Sequence, residues 1–367
     1  MEHEFTKVIK NILRKNFGNI ADEIFDKSYL IRYLNYKTKS ASRGSKSRGS
    51  FANHYAVYVL IENYITNGFA EDVESYSEYD GAIYTELLTR MRELPFGQKL
   101  QNHALNGRMN DEFRKFFPDV QYQPIIRDLK TKRYWINENL LKIIVNEEEY
   151  NISSVTIEII DAYIEAKRSA FDRFISYVSK LAEISEQDTE KAINFIKQQI
   201  QPNVDARVFE IVSYAILKAY YEDTILYWGW KPEELNEQSL TLYKTGRTNA
   251  NDGGIDFVMR PLGRFFQVTE TLNFKKYFLD IDKIQRYPIT FVIKTEMKEI
   301  QIYEQLQSNA NSVYGIRAIV QRYMDSIEEV INIPKLTEIF TEQVNQGKVK
   351  EIMEEIILQS KIEFNYE

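Results

Sequence analysis

The sequence predicts an α+β protein, with a mainly helical amino-terminal part followed by a core built on a mixed β-sheet flanked by helices. Three observations indicate this class. Apolar residues recur at helical spacing over most of the first 200 positions. Two runs rich in β-branched and aromatic residues, 255–260 and 264–270, are separated by Pro261-Leu262-Gly263 and predict a β-hairpin. The short apolar run 287–294 is typical of a buried strand in the same sheet, with 273–285 as the intervening helix or crossover.

The length of 367 residues exceeds that of a usual single domain, so we expect more than one. The patterns divide the chain into a mainly helical module over 1–150, connecting helices over 151–200, a core over 201–300 and a helical region over 301–367. We expect the last region either to pack on the core or to form a homodimer contact.

Composition limits the classes of function. Hydrophobic residues make up 44% of the chain, with 25 Tyr and 21 Phe, which indicates a packed globular protein. The net charge of −7 requires any nucleic-acid surface to be a local concentration of Lys and Arg. The absence of cysteine excludes disulfides and thiolate metal sites, and the three histidines lack the spacing of a zinc pair. The amino terminus lacks the pattern of a secretory signal and no apolar run has transmembrane length, so we expect a cytoplasmic protein with no membrane partner.

The segment 36–50 is strongly basic, unlike the rest of this acidic chain. It follows short helices predicted over 5–35 and precedes a buried helix predicted over 51–64. It contains five cations, no acid and many small hydroxyl residues. Such a composition suits contact with a nucleic-acid backbone, and equally a solvated linker. The candidate phosphate-binding residues are Lys37, Lys39, Arg43, Lys46 and Arg48.

The segment 95–110 is rich in amides. Asn reads adenine and Arg reads guanine through paired hydrogen bonds, so Asn102, Asn106 and Arg108 are candidate base-reading residues. The same amides also suit helix caps and turns. Farther along, 121–150 predicts short strands around a basic turn beside Tyr134 and Trp135, and 155–200 predicts long helices.

The segment 205–217 predicts a helix that begins at Asp205, a favourable N-cap. Its apolar stripe surrounds one acidic residue, Glu210. In the hairpin that follows, the carboxylate of Asp256 and the amide of Gln267 lie on neighbouring strands. Oxygen ligands of this kind suit Mg²⁺, whereas a solvated surface hairpin is the simpler interpretation.

Three short motifs occur in a fixed order: Phe209-Glu210 on a helix, Gly254-Ile255-Asp256 on a strand and Gln267-Val268-Thr269 on the next. Together they resemble the PD-(D/E)xK nuclease superfamily, in particular its Mrr-like branch and many Type II restriction endonucleases. The resemblance covers about residues 200 to 295. It departs from the family pattern at Thr269, where the family usually has lysine.

The resemblance implies a Mg²⁺-dependent endonuclease that cleaves double-stranded DNA at a specific sequence, with a DNA methyltransferase as its genetic partner. It implies Asp256 as the bridging metal ligand, Glu210 as a second carboxylate, Gln267 as the third ligand and Thr269 as a lining residue. The missing cation is then supplied by Lys244, Lys275 or Lys276. Of these we favour Lys276.

The missing lysine leaves a second interpretation open, namely a nuclease fold that binds DNA without cleaving it. Action on RNA or on structured junctions, and a helical interaction protein with no nucleic-acid role, are further alternatives.

Overall fold

A computed structural model describes residues 2–39, 41, 48–72, 74–98, 100–184, 188–245, 255–270 and 274–364. The chain forms two compact units, Met1–Phe174 and Ile175–Glu367. Helices and sheets occur together in both, so the predicted mixed α/β class is confirmed.

The first unit is mainly helical. Its apolar centre includes the helix that follows the basic segment, which is buried on every side from Phe51 to Ile61. A helix that is apolar all round belongs in the middle of a core. The helices are α1 (Glu4–Phe17), α2 (Ala21–Lys27), α3 (Tyr29–Lys37), α4 (Arg48–Thr66), α5 (Tyr84–Glu93) and α6 (Met109–Phe116).

Short strands complete the first unit, as predicted for 121–150. They are β1 (Ala82–Ile83), β2 (Ile125–Asp128), β3 (Arg133–Ile136), β4 (Lys142–Val145) and β5 (Glu148–Asn151). Strands β1, β3 and β2 form one antiparallel sheet in that order, and β4 and β5 form a separate hairpin. The basic turn joins β2 to β3.

The predicted helical stretch from 155 to 200 contains α7 (Ser153–Ile184) and α8 (Thr189–Gln199). The boundary between the two compact units falls inside α7. The domain limits at residues 150 and 200 stay predictions.

The second unit is organised around a five-stranded mixed sheet. After α9 (Ala206–Glu222), strands β6 (Ile225–Trp228) and β7 (Asn236–Ser239) form a separate exposed hairpin that the sequence did not lead us to expect. The sheet itself has the order β12-β11-β10-β9-β8. Its strands are β8 (Thr241–Lys244), β9 (Phe257–Arg260), β10 (Arg264–Thr269), β11 (Ile289–Ile293) and β12 (Ile327–Ile331).

The strand pairing confirms the predicted hairpin and crossover. Strands β9 and β10 are antiparallel, with Phe257 opposite Phe266, and β8 is antiparallel to β9. Strand β10 then runs parallel to β11 after the helix α10 (Phe274–Lys283). The ends of β8 and β10 and the start of β9 are thereby at the same end of the sheet.

Neighbouring residues on a strand point to opposite faces of the sheet. Helices cover both of these faces. On one face α9 packs through Tyr214 on Phe257, with ring centroids 5.1 Å apart. On the other face Tyr277 of α10 packs on Phe291 at 4.5 Å, together with α11 (Glu299–Tyr314) and α12 (Arg317–Asp325). The last helices, α13 (Ile333–Asn345) and α14 (Val349–Phe364), pack against α9.

One expectation for this region is wrong. The region predicted as helical over 301–367 is interrupted after Asp325, where α12 ends, and residues 327–331 form β12. Strand β12 pairs in parallel with β11, with Val330 opposite Phe291. Pairing at the sheet edge overrides a helical spacing that is ambiguous over so few residues.

Candidate active site

The carboxylate of Asp256 is fixed at the start of β9. Its backbone N–H donates to Phe266 O at 3.0 Å, and its carbonyl accepts from Thr245 N at 2.9 Å. Its side-chain Oδ2 accepts two further hydrogen bonds, from Gln267 Nε2 and from Val268 N, both at 2.7 Å. Within the described residues nothing donates to Oδ1, so one carboxylate oxygen stays available to a ligand.

The amide of Gln267 is itself buried, with 6% of its surface exposed. While its Nε2 group donates to Asp256, its Oε1 atom is buried and has no hydrogen-bond partner among the described residues. Buried acceptors are rarely left unpaired, since an unmade hydrogen bond costs about 1–3 kcal/mol. Gln267, which holds Asp256, therefore carries a buried acceptor oxygen without a described partner.

Glu210 projects from the first turns of α9, which begins as predicted: Asp205 Oδ1 accepts from Arg207 N at 2.9 Å. The Glu210 side chain is buried and faces two cations. Its Oε1 atom lies 3.1 Å from Lys244 Nζ, and its Oε2 atom accepts from the Arg207 guanidinium. Both carboxylate oxygens of Glu210 are thus compensated by positive charge.

The structure brings Lys244 to this cluster, and it does not bring Lys276. Lys244 ends β8, beside the start of β9, and its ammonium is buried with no hydrogen bond in the described part of the chain other than the ion pair with Glu210. Burial lowers the pKa of Lys244, although Glu210 opposes this shift. Lys276 is exposed on α10, and no ion pair or hydrogen bond within the described residues joins it to Glu210 or Asp256. Our preference for Lys276 is therefore not supported by its position.

The electrostatics link the two carboxylates. Burial, together with the negative charge of Glu210, raises the pKa of Asp256 to about 7. The hydrogen bond from Val268 N and the charges of Arg207 and Lys244 act in the opposite direction. Asp256 and Glu210 are therefore close enough to interact, as the sequence-based hypothesis required.

Thr269 is buried and does not replace a cation. Its hydroxyl hydrogen-bonds the hydroxyl of Tyr277 on α10. A cation does occur nearby at the end of β11, where Lys294 Nζ donates to Val204 O at 2.6 Å and pairs with Glu270. The hydrogen bond from Lys294 to Val204 O connects this end of the sheet to the segment just before α9.

The residues present provide a partial set of metal ligands. In the described ranges no group of three or more His, Asp and Glu side chains could hold a metal ion. The resemblance implies Mg²⁺, which often binds only one or two carboxylates and keeps several waters. Asp256 Oδ1 and Gln267 Oε1 are acceptor oxygens without described partners, and they fit such an ion. Both oxygens of Glu210 already face cations, so Glu210 fits the role of a ligand less well.

The candidate phosphate-binding residues are only partly described. Lys37 is half-buried and forms an ion pair with Glu112, while Lys39 is exposed. Arg43 and Lys46 lie outside the described residues. Arg48 is the first residue of α4, and its side chain is not described.

The candidate base-reading residues lie around a turn of π-helix, Ala104–Arg108. Asn106 and Arg108 are exposed and Asn102 is half-buried. The neighbouring Asn110, in contrast, is buried and exchanges hydrogen bonds with the backbone of Ile125, at 2.8 and 2.9 Å. Asn110 thus has a structural role, which is the alternative that we gave for the amides of this segment.

Comparison of the chain with protein-family models, with curated proteins and with solved structures gave no match. Within the described ranges, no helix has both the length and the apolar character needed to span a bilayer. The site is therefore interpreted from its own geometry.

Sequence reasoning missed one contributor to the site, Arg207. It lies three residues before Glu210 on the same helix, and this spacing brings two side chains together on a helix surface, so the contact could have been predicted. Lys244 was considered, on a run that could pair with the Asp256 strand, but Lys276 was preferred because nothing in the sequence places the end of that run beside Glu210.

Proposed function

We propose that this protein is a Type II-like, metal-dependent endonuclease that hydrolyses phosphodiester bonds of double-stranded DNA at a specific sequence. The observation that carries the proposal is the convergence of Glu210, Lys244, Asp256 and Gln267 at one end of a mixed sheet. These groups come from a helix and three strands. Three of them, Glu210, Asp256 and Gln267, belong to the motifs that resemble the nuclease superfamily.

The chain's own residues divide the chemical tasks. Asp256 is held rigidly by Gln267 Nε2 and Val268 N, so its free oxygen has a fixed position. Lys244 replaces the lysine missing at position 269, and its ammonium can donate to a phosphate oxygen as negative charge develops. Glu210 holds Lys244 in place, and its negative charge favours the charged form of Lys244 against the effect of burial.

A bound Mg²⁺, held by Asp256 and Gln267, would lower the pKa of water and neutralise phosphate charge. Asp256 must be ionised to hold it. Because burial raises the pKa of Asp256 to about 7 in the metal-free protein, we expect the affinity for Mg²⁺ to rise as the pH approaches neutrality.

A second candidate function, a nuclease fold that only binds DNA, has one observation in its favour. Both oxygens of Glu210 are occupied by Lys244 and Arg207, and Thr269 carries no charge. Such a site has fewer free carboxylate oxygens than a cleaving one is expected to offer.

The two functions are separated by incubating the purified protein with plasmid and phage DNA, with and without Mg²⁺. The endonuclease gives discrete fragments that require Mg²⁺. The binding protein gives uncut DNA with a salt-sensitive gel shift. If the DNA is neither cleaved nor shifted, both functions are excluded.

A further inference from the structure

A second polar cluster lies in the first unit, around the π-helical turn Ala104–Arg108. The hydroxyl of the buried Tyr134 holds one exposed side chain, because it donates to Asn106 Oδ1 at 3.2 Å. The exposed Arg127 lies directly opposite Tyr134 in the pairing of β2 with β3. One buried hydroxyl thus orients the Asn106 amide, and Arg127 comes from the strand position paired with it.

Gly107 lies beside the Arg127 guanidinium in this cluster. It interrupts the helix with φ 158° and ψ −29°. A β-carbon at this position would lie 3.7 Å from the Arg127 guanidinium, so the arginine lies over bare backbone. Turns of π-helix occur frequently at functional sites.

The surroundings carry both signs of charge. A shallow depression of about 580 Å³ beside the turn is lined by His103, Asn106, Arg108, Asp111 and Lys115, among others. A surface that only contacts phosphates needs cations without acids, whereas one that contacts base edges needs donors and acceptors together. The mixture of positive and negative side chains in this lining therefore favours contact with base edges over contact with phosphates alone.

We propose that Asn106, oriented by Tyr134, and the neighbouring Arg127 form a base-reading pair that contacts purines in the major groove of duplex DNA. Asn106 pairs with the N6 and N7 atoms of an adenine, and Arg127 pairs with the O6 and N7 atoms of a guanine. In Asn106 the Oδ1 atom keeps a second lone pair, and no acceptor within the described residues binds Nδ2. This inference rests on the proposed function and identifies residues with which the same enzyme recognises its DNA sequence.

The test is selection of duplexes from a random DNA library by the full-length protein without divalent metal, followed by sequencing. We compare the wild type with Asn106→Ala, Arg127→Ala and Tyr134→Phe. Asn106→Ala should lose its preference at one adenine position and Arg127→Ala at one guanine position, with about tenfold or greater loss of discrimination each. Tyr134→Phe should weaken the adenine preference, because it removes the hydroxyl that orients Asn106. Lys130→Ala, an exposed cation on the turn after β2, is the matched control and should select the wild-type sequence.

The outcomes separate the two proposals. If the wild type selects no sequence, the site-specific function fails. If the wild type selects a sequence and all three variants select it unchanged, the base-reading pair is wrong and the function stands. A uniform loss of binding to all sequences in Arg127→Ala would also overturn the pair, because it would mark a phosphate contact.

Discussion

The two carboxylates of the candidate site differ in what surrounds them. Glu210 is buried against Lys244 and Arg207, whereas Asp256 accepts hydrogen bonds from the neutral donors Gln267 and Val268. Neutral donors compensate less of the cost of burying a charge. Asp256 is therefore the carboxylate whose ionisation costs the fold free energy, and a bound cation would offset that cost.

This difference predicts the pH dependence of folding stability. Since burial raises the pKa of Asp256 to about 7 from an unfolded value near 3.9, protonated Asp256 stabilises the fold below about pH 4. That contribution is lost as the pH rises through 7. In metal-free buffer, the free energy of unfolding of Asp256→Asn relative to wild type should therefore increase by about 2–4 kcal/mol between pH 4 and pH 8. Urea unfolding at both pH values measures this difference.

A relative stability of Asp256→Asn that stays constant across this pH range would contradict the account. It would place Asp256 in contact with solvent, with an ordinary pKa.

A second prediction concerns the replacement for the missing lysine. Lys244→Met removes the ammonium and keeps most of the apolar stem, so Mg²⁺-dependent cleavage should slow by about 10²-fold or more. Lys276→Met removes an exposed cation and should leave the rate nearly unchanged. Single-turnover cleavage rates of the two variants, at equal folded fraction, compare them.

The opposite result, slow cleavage by Lys276→Met and normal cleavage by Lys244→Met, would restore the assignment that the sequence favoured.

Single residues were predictable to the extent that local rules apply to them. Asp256 and Glu210 stood out because each is an acid within an apolar pattern. The role of Lys244 depends on which strands pair and in what register, and no local pattern contains that information.

Helix α9 is the element on which the position of Glu210 depends. Its N-cap, Asp205, was predictable from the sequence because short polar side chains satisfy the free N–H groups of a first turn. Replacing Asp205 by Ala should lower the free energy of unfolding by about 1 kcal/mol. Urea denaturation measures the change, and Asp325→Asn, an exposed acid of the same unit, provides the control.

An unchanged stability of Asp205→Ala would show that the start of α9 is held by packing alone.

Strand β12 and the hairpin of β6 and β7 show where element prediction failed. Residues 327–331 contain apolar positions that fit either a helix or a strand, and pairing with β11 decides between them. In the hairpin, Trp230 is 87% exposed and every residue of β7 is exposed, so there was no alternation of buried and exposed positions to detect. Longer segments such as α4 and α9 were predictable because their apolar residues continue over more positions than a single strand usually spans.

At the scale of the whole molecule, the class of fold followed from the sequence and the division into units did not. The α+β class depends only on which periodicities are present. The boundary between the units falls within α7, where the composition does not change. A continuous helix carries no linker signal in its sequence.

The net charge of −7 also acts on the whole molecule, and it opposes association with DNA at long range. The DNA contacts that we propose must therefore be local and specific. Homodimer formation, which the sequence left open, stays a prediction.

The most direct test of the central claim is the Mg²⁺-dependent cleavage of plasmid DNA at pH 8 by the wild type and by Asp256→Asn, with Asp325→Asn as control. The account predicts discrete fragments from the wild type and the control, and no cleavage above background from Asp256→Asn, which keeps the shape of the site but removes its ionisable carboxylate. Equal cleavage by Asp256→Asn and the wild type would contradict the claim that Asp256 belongs to the active site.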